Sequence, residues 1–400
     1  MKKQKRNRDW VQDYFFLIIP RPLKDELLSS WLTRMAIDHR RSLSEFISLF
    51  IRHEGSAISR TDLDFLYDEK LFNHLAQKSQ LSKKEIFSLS LHSEEGHLFL
   101  CDENTLYPPL QIRKLTDKRT HNGLMYCPKC LAEDKIPYFR KKWRYNFYNA
   151  CPKHKIFLTD RCWRCYNKIS LPKIKHKKEL CICYNCEKDL RESVTMPIHS
   201  NYEYGLKAIK WFEKGLSRGF FVINKQKIKS VFVFESLTYL RFLLDSKEKL
   251  NLEKFPLLEE YKTICKKLDR YNSKKTLSIK KEFILTSMVY YLFQNYPKNL
   301  VAFSRDNHLT HREFFHGFRN IPFWYKEMID ELIPMQNKIG REISESEVLG
   351  AIKYLKNQGN VVNQISVAEI VGCHFSIHKG FVKIYKKYTI NNILPKKQRY

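Results

Sequence analysis

Apolar positions in the first hundred residues recur at helical spacing. Leu27, Leu28, Trp31, Leu32 and Met35 fall on one face of a helix, and Asp25 stands where a cap would. A second short segment, with Phe46, Ile47, Leu49 and Phe50, follows a serine cap at Ser42 or Ser44. A third runs through Leu66, Leu71, Phe72, Leu75 and Ala76. Ser82 precedes Glu85 by three residues, the spacing of a capping box in which each residue satisfies a backbone N–H of the other. Short helices with abrupt turns suit a helix-turn-helix or an ordinary small helical bundle.

Helical periodicity returns from about Tyr204 to Trp324. Leu237, Tyr239, Leu240, Phe242 and Leu243, then Phe283, Ile284, Met288, Val289, Tyr291 and Leu292, read as core helices. Near the C-terminus Ser344 and Glu347 open a run through Val348, Ile352, Tyr354 and Leu355 that ends near Gly359. A short helix capped at Ser366 follows, with Ala368 and Gly372 small enough for a second helix to cross closely. The segment from Ser376 to Tyr385 would then be a recognition helix, weakened by about 1 kcal/mol by Gly380 in its middle. A plain two-helix hairpin fits the same pattern.

Between these helical regions the pattern changes to cysteine pairs. Eight of the eleven cysteines lie between Cys127 and Cys186. Cys127 and Cys130 are followed by Cys151 and His154, and Cys162 and Cys165 by Cys183 and Cys186. An x2 spacing lets one tight turn aim two side chains, and two turns supply the four tetrahedral N/S ligands zinc prefers. A redox Cys-x-x-Cys needs a βαβ setting that this lysine-rich, turn-rich sequence does not offer. Four protein ligands per ion leave no open position, so both zincs would be structural. Spacing alone leaves two alternatives open: Cys181 in place of Cys183, and an interleaved pairing of the four Cys-x2 units.

Lys and Arg total 72 against 43 Asp and Glu, a formal net charge of +29. That excess concerns partners rather than fold and favours a polyanion. From Lys135 to Lys178 there are fourteen Lys or Arg and one acid, Asp160. Cations alternate with aromatics at Arg140, Lys141, Lys142, Trp143, Arg144 and Tyr145, a mixture suited to phosphates and stacked bases. Lys379 and Lys383, beside Ser376 and His378, make the C-terminal segment a second candidate nucleic-acid contact. A basic tail follows.

No P-loop, dinucleotide fingerprint, His-Glu-x-x-His or nucleophile elbow occurs, so the sequence offers no positive case for an enzyme. The basic start Met1 to Arg6 leads into an apolar run too short for a signal peptide, and no stretch approaches a membrane span. A cytoplasmic protein without membrane contact is expected. The expected fold is mainly α with small zinc-ribbon β elements. Its expected parts are an N-terminal helical, helix-turn-helix-like domain (1–118), a tandem zinc region (119–195), a helical domain (196–330) and a C-terminal helix-turn-helix region with a basic tail (331–400).

Three passages resemble the TniQ/TnsD family of transposon target-selection proteins. They are Pro20 to Pro22 with Asp25 to Ala36; Tyr126 to Asp134 with Pro137 to Arg140, Trp143, Arg144 and Cys151 to His154; and Cys162, Cys165, Cys183 and Cys186. Arg341 to Tyr385 matches the family's C-terminal helix-turn-helix more loosely. The resemblance implies an adaptor that marks an insertion site on target DNA and recruits an AAA+ ATPase regulator of transposition. Some members bind their site directly. Others ride, often as homodimers, on an RNA-guided CRISPR effector of the Cascade type in a CRISPR-associated transposon. A sequence-specific zinc and helix-turn-helix transcription regulator is the alternative reading of the same motifs.

Overall fold

The computed structural model describes residues 16–51, 62–65, 68–101, 108–115, 122–175, 178–246, 250–270, 277–307, 309, 311–315, 323–332, 343–371 and 379–393. The fold is mainly helical, with two short antiparallel hairpins among the described residues.

The N-terminal helices are α1 (Leu28–Asp38), α2 (Leu43–Phe50), α3 (Glu69–Ser79) and α4 (Lys83–Leu89). Capping chemistry sets three of their starts. Ser42 with Glu45, and Ser82 with Glu85, form reciprocal capping boxes, while the Asp68 side chain accepts from the Leu71 amide. Asp25 does not cap α1. Leu27 precedes the helix without a side-chain cap, and Asp25 lies ahead of it at φ 62°. The acid that matters is Glu26, whose carboxylate accepts from the Leu23 amide, Ser30 Oγ and Arg34. Trp31, Phe46, Leu75 and Ile86 centre the core these helices share.

Nearly all of α1 is buried, including its polar residues Ser29, Ser30, Thr33 and Arg34. Ser29 bonds to Asp64 and Arg34 to Glu26, while Ser30 faces the cysteine-rich region, which is stitched to α1 by backbone bonds. The Leu27 amide donates to Phe139 O at 2.9 Å, and the Lys141 amide to Asp25 O at 2.7 Å. Ser30 Oγ accepts from the Phe139 amide at 3.0 Å. The cysteine-rich region itself contains α5 (Pro128–Glu133) and the hairpin of β1 (Ala150–Cys151) with β2 (Ile156–Phe157), over a core of Tyr126, Phe139, Trp143 and Tyr148.

Next come α6 (Glu203–Arg218), β3 (Phe220–Ile223), β4 (Gln226–Lys229), α7 (Ser230–Ser246), α8 (Leu258–Arg270), α9 (Leu277–Phe293) and α10 (Lys298–Asp306). The β3–β4 hairpin was not expected. Asn224 and Lys225 both take positive φ at its turn, the conformation of a tight two-residue hairpin loop. Phe147 stacks on Phe234 at 5.1 Å, and Phe157 meets Phe283 edge-on at 5.1 Å, so aromatic rings continue the cysteine-rich core into the helices. Gly215 lies where the Phe221 ring passes; a Cβ there would stand 2.1 Å from it.

The chain divides into two units. The first takes in residues up to His308 and His316–Lys326, and so holds the N-terminal helices, the cysteine region and α6 to α10 together. The second takes in Leu309–Phe315 and Glu327–Tyr400. Between α10 and the C-terminal helices run α11 (His311–Phe315) and α12 (Phe323–Leu332). In the second unit α13 (Glu345–Asn357), α14 (Gln364–Val371) and α15 (Lys379–Ile393) bury Val348, Ile352, Leu355, Val367, Ala368 and Phe381. Ser344 and Glu347 cap α13 as the sequence indicates. For α14, Asn363 rather than Ser366 provides the cap, its Oδ1 accepting from the Ser366 amide at 2.8 Å. Gly380 is the second residue of α15, not its middle, and α15 continues to Ile393.

Candidate metal centres and basic surfaces

Two groups of four side chains converge, each with its ligand atoms within 4.8 Å of one another. In the first, Cys127 occupies the cap position of α5 and accepts from the Cys130 amide, with Pro128 in the first turn. The β1–β2 turn supplies the other pair, Lys155 closing it at φ 51°. His154 Nδ1 lies 3.3, 3.4 and 3.5 Å from the sulfurs of Cys127, Cys130 and Cys151. Metal–S bonds of about 2.3 Å and metal–N bonds of about 2.0 Å make tetrahedral edges of roughly 3.3–3.8 Å, so these spacings suit a central ion.

His154 Nε2 faces Glu133 Oε1 at 2.8 Å, which leaves Nδ1 for the sulfurs. A carboxylate behind a histidine in this way orients metal-binding imidazoles. Nothing in the cysteine spacing points to Glu133; it lies on α5, one turn beyond Cys130. Hydrogen bonds from Cys127 and Cys130 hold the Cys151 thiol well below its ordinary range, while bonds to Cys130 and Cys151 push Cys127 up.

The second group is two matching knuckles. The Tyr166 amide donates to Cys162 O at 3.0 Å and the Cys162 amide to Asn167 O at 2.9 Å. The Glu187 amide donates to Cys183 O at 3.0 Å and the Cys183 amide to Lys188 O at 2.9 Å. Tyr166 and Glu187, each one past the second cysteine, both take positive φ. Cys162 Sγ lies 3.5 Å from Cys186 Sγ, and Cys165 Sγ 3.7 Å from Cys183 Sγ. Both alternatives left open by the spacing are thus resolved geometrically. The pairs do not interleave. Cys181 stands outside the group, 3.5 Å from Glu179 Oε2, its thiol pushed up to about 12 by burial.

The basic segment is placed differently from expectation. Arg144 is fully buried between Asp62 and Asp64, and two of its N–H groups also donate to Arg113 O. Lys141 pairs with Glu94 at 2.8 Å, and Arg140 pairs with Asp134 at 2.7 Å while packing over the Tyr138 and Trp143 rings. Lys142, half-exposed, reaches Glu213. Each of these four cations is thus paired with an acid of the same chain; Arg144, Lys141 and Arg140 are largely enclosed, and Lys142 keeps a part-exposed side chain. A charge run reads as a surface in sequence because most of its acids lie 47 to 82 positions away, Asp134 alone being near, six residues before Arg140.

Exposed charge is found elsewhere. Arg164, Lys173 and Lys188 on the second cysteine group make no ion pair among the described residues, and neither do Lys383 and Lys386 on α15. Tyr166, next to Cys165 in the second cysteine group, is 72% exposed. Ser376 and His378 lie outside the described residues, as does the Lys379 side chain.

The first cysteine group, its Glu133 support and its attachment to α1 all fall within one matched stretch: residues 17–158 fit the family model for TniQ. The chain carries a TniQ domain. The match covers α1 to α5 and the β1–β2 hairpin and ends just before Cys162, so the second group is an addition beyond the matched domain. No curated protein matches the chain. No described helix is long and apolar enough to cross a membrane.

Proposed function

We propose that this chain is a non-enzymatic target-selection adaptor of a transposon, holding structural zinc in both cysteine groups. Its target is DNA, and its downstream partner is an AAA+ ATPase that recruits the transposase. The observation that carries this reading is the TniQ domain over residues 17–158, whose first Cys/His group is built into the same core as α1. Two four-donor groups leave no coordination position for a substrate, which supports a scaffold role for the metal. The exposed cations Arg164, Lys173, Lys188, Lys383 and Lys386 provide the surfaces for nucleic acid.

Reconstituted insertion tests the reading. Where genes for a transposase and an AAA+ ATPase flank this one, the chain is combined with both proteins and insertion sites are mapped by sequencing. Insertions should concentrate at one location only when the chain is present. An insertion pattern indifferent to it would overturn the proposal. A footprint of the chain alone, with random duplex as competitor, separates direct recognition from recognition borrowed from an RNA-guided effector.

A further inference from the structure

The TniQ domain holds a third convergence of metal-ligating side chains, away from both cysteine groups. Ligand atoms of His92, Glu95 and Cys101 all lie within 4.8 Å of one another. His92 belongs to a 3-10 turn, Leu91–Glu94, that follows α4. The chain then reverses at Gly96, φ 77°, whose amide donates to Phe99 O at 2.8 Å. A Cβ at Gly96 would meet nothing, so glycine serves the backbone angle there rather than space. Glu95 bridges to Phe99, and this pairing returns Cys101 towards the carboxylate.

The orientation of His92 is the second observation. The ring is buried, stacked on Phe65 with centroids 4.4 Å apart, and Nε2 lies 2.7 Å from Phe65 O. A carbonyl oxygen only accepts, so Nε2 carries a proton and donates it. In the neutral ring Nδ1 is then a lone pair, and it faces Glu95 Oε2 at 3.8 Å. Nitrogen, carboxylate oxygen and sulfur thus converge within 4.8 Å, the donor types that zinc takes. A backbone carbonyl behind a histidine is the same supporting device that Glu133 provides for His154.

We infer that His92 Nδ1, a Glu95 carboxylate oxygen and Cys101 Sγ form a third metal site, taking Zn²⁺. Mixed N, O and S donors suit zinc better than a hard cation such as Mg²⁺. Three protein donors leave one tetrahedral position for water, so this ion exchanges more readily than the two held by four donors. The competing arrangement is an imidazolium–carboxylate pair between His92 and Glu95, which makes no use of Cys101.

The full chain is dialysed to equilibrium against buffered free Zn²⁺, and the zinc on the protein side in excess of the buffer side is counted by elemental analysis beside Cys101→Ser and Glu95→Gln. Three zincs in the wild type and two in each variant are expected. Retention of two in both variants also reports that the folded cysteine groups survive. Equal zinc content in all three proteins overturns the inference. The count does not depend on any transposition activity, so it fails or succeeds separately from the proposed function.

Discussion

Arg144 Nη1 donates to Asp64 Oδ2 at 3.0 Å, and the two side chains are buried together. The pair joins the cysteine-rich region to the N-terminal helices, because Asp64 also accepts from the amide and hydroxyl of Ser29 on α1 at 2.8 and 2.9 Å. Burial pushes the Asp64 carboxyl up, against the pull of Arg144. Each charge is tolerable only while the other is present. Removing one leaves an uncompensated charge in a dry environment, whereas an exposed pair would contribute little.

Arg144→Met is therefore expected to destabilise the protein by about 3–5 kcal/mol. Urea denaturation followed by tryptophan fluorescence measures it, Trp31 and Trp143 both being buried in this region. A midpoint unchanged from wild type would show that Arg144 does not occupy the buried network.

Metal content should follow the geometry rather than the count of cysteines. Cys183→Ser loses one tightly held zinc, while Cys181→Ser keeps it, since Cys181 faces Glu179. Cys127→Ser loses the other zinc and the cooperative unfolding of the TniQ domain with it, because metal binding in such sites is folding free energy. The reverse pattern for Cys181 and Cys183 would require a rearranged second group.

Asp25 gives a pH dependence with a definite sign. Burial raises its carboxyl to about 7, with Lys142 and Lys141 opposing. The folded state thus takes up a proton between the ordinary value near 3.8 and about 7, and stability is lost as pH rises through that window. Asp25→Asn removes the charge and tolerates the positive φ. The variant should exceed wild type by about 1–3 kcal/mol at pH 8, narrowing towards pH 4, by urea midpoints. A gap independent of pH would rule this origin out.

Exposed and internal cations should separate in binding experiments. Arg164→Gln and Lys383→Gln are expected to weaken duplex binding across all sequences and each to lower the salt slope by about 1. Arg140→Gln, which strips Asp134 of its partner, should instead lower thermal stability with little effect on affinity. Fluorescence anisotropy against salt, beside melting curves, checks both. Loss of affinity without loss of stability in Arg140→Gln would restore it to the surface.

Several elements are legible in residue order because their causes are local. Ser42, Ser82 and Ser344 each stand three residues before the glutamate that completes their capping box, so three helix starts follow from spacing. The cysteine groups are legible for the same reason: a Cys-x2-Cys turn fixes its own geometry. The β3–β4 hairpin has a weaker local mark, Asn224 at a turn flanked by Phe220 to Ile223. Asp25 misleads because its neighbour Glu26 meets Arg34 and Ser30 once α1 forms.

Residue order by itself determined the helical periodicity, the capped starts, the four pairs of metal-ligating residues and the resemblance to a target-selection family. All of these depend on contacts within a few positions of the chain. Which pairs share a centre, whether Cys181 or Cys183 joins it, and whether a lysine or arginine meets solvent were decided only by tertiary structure. Arg144 shows why. Its partners, Asp62 and Asp64, lie some eighty residues earlier, and the free energy of a charge is set by what surrounds it in space.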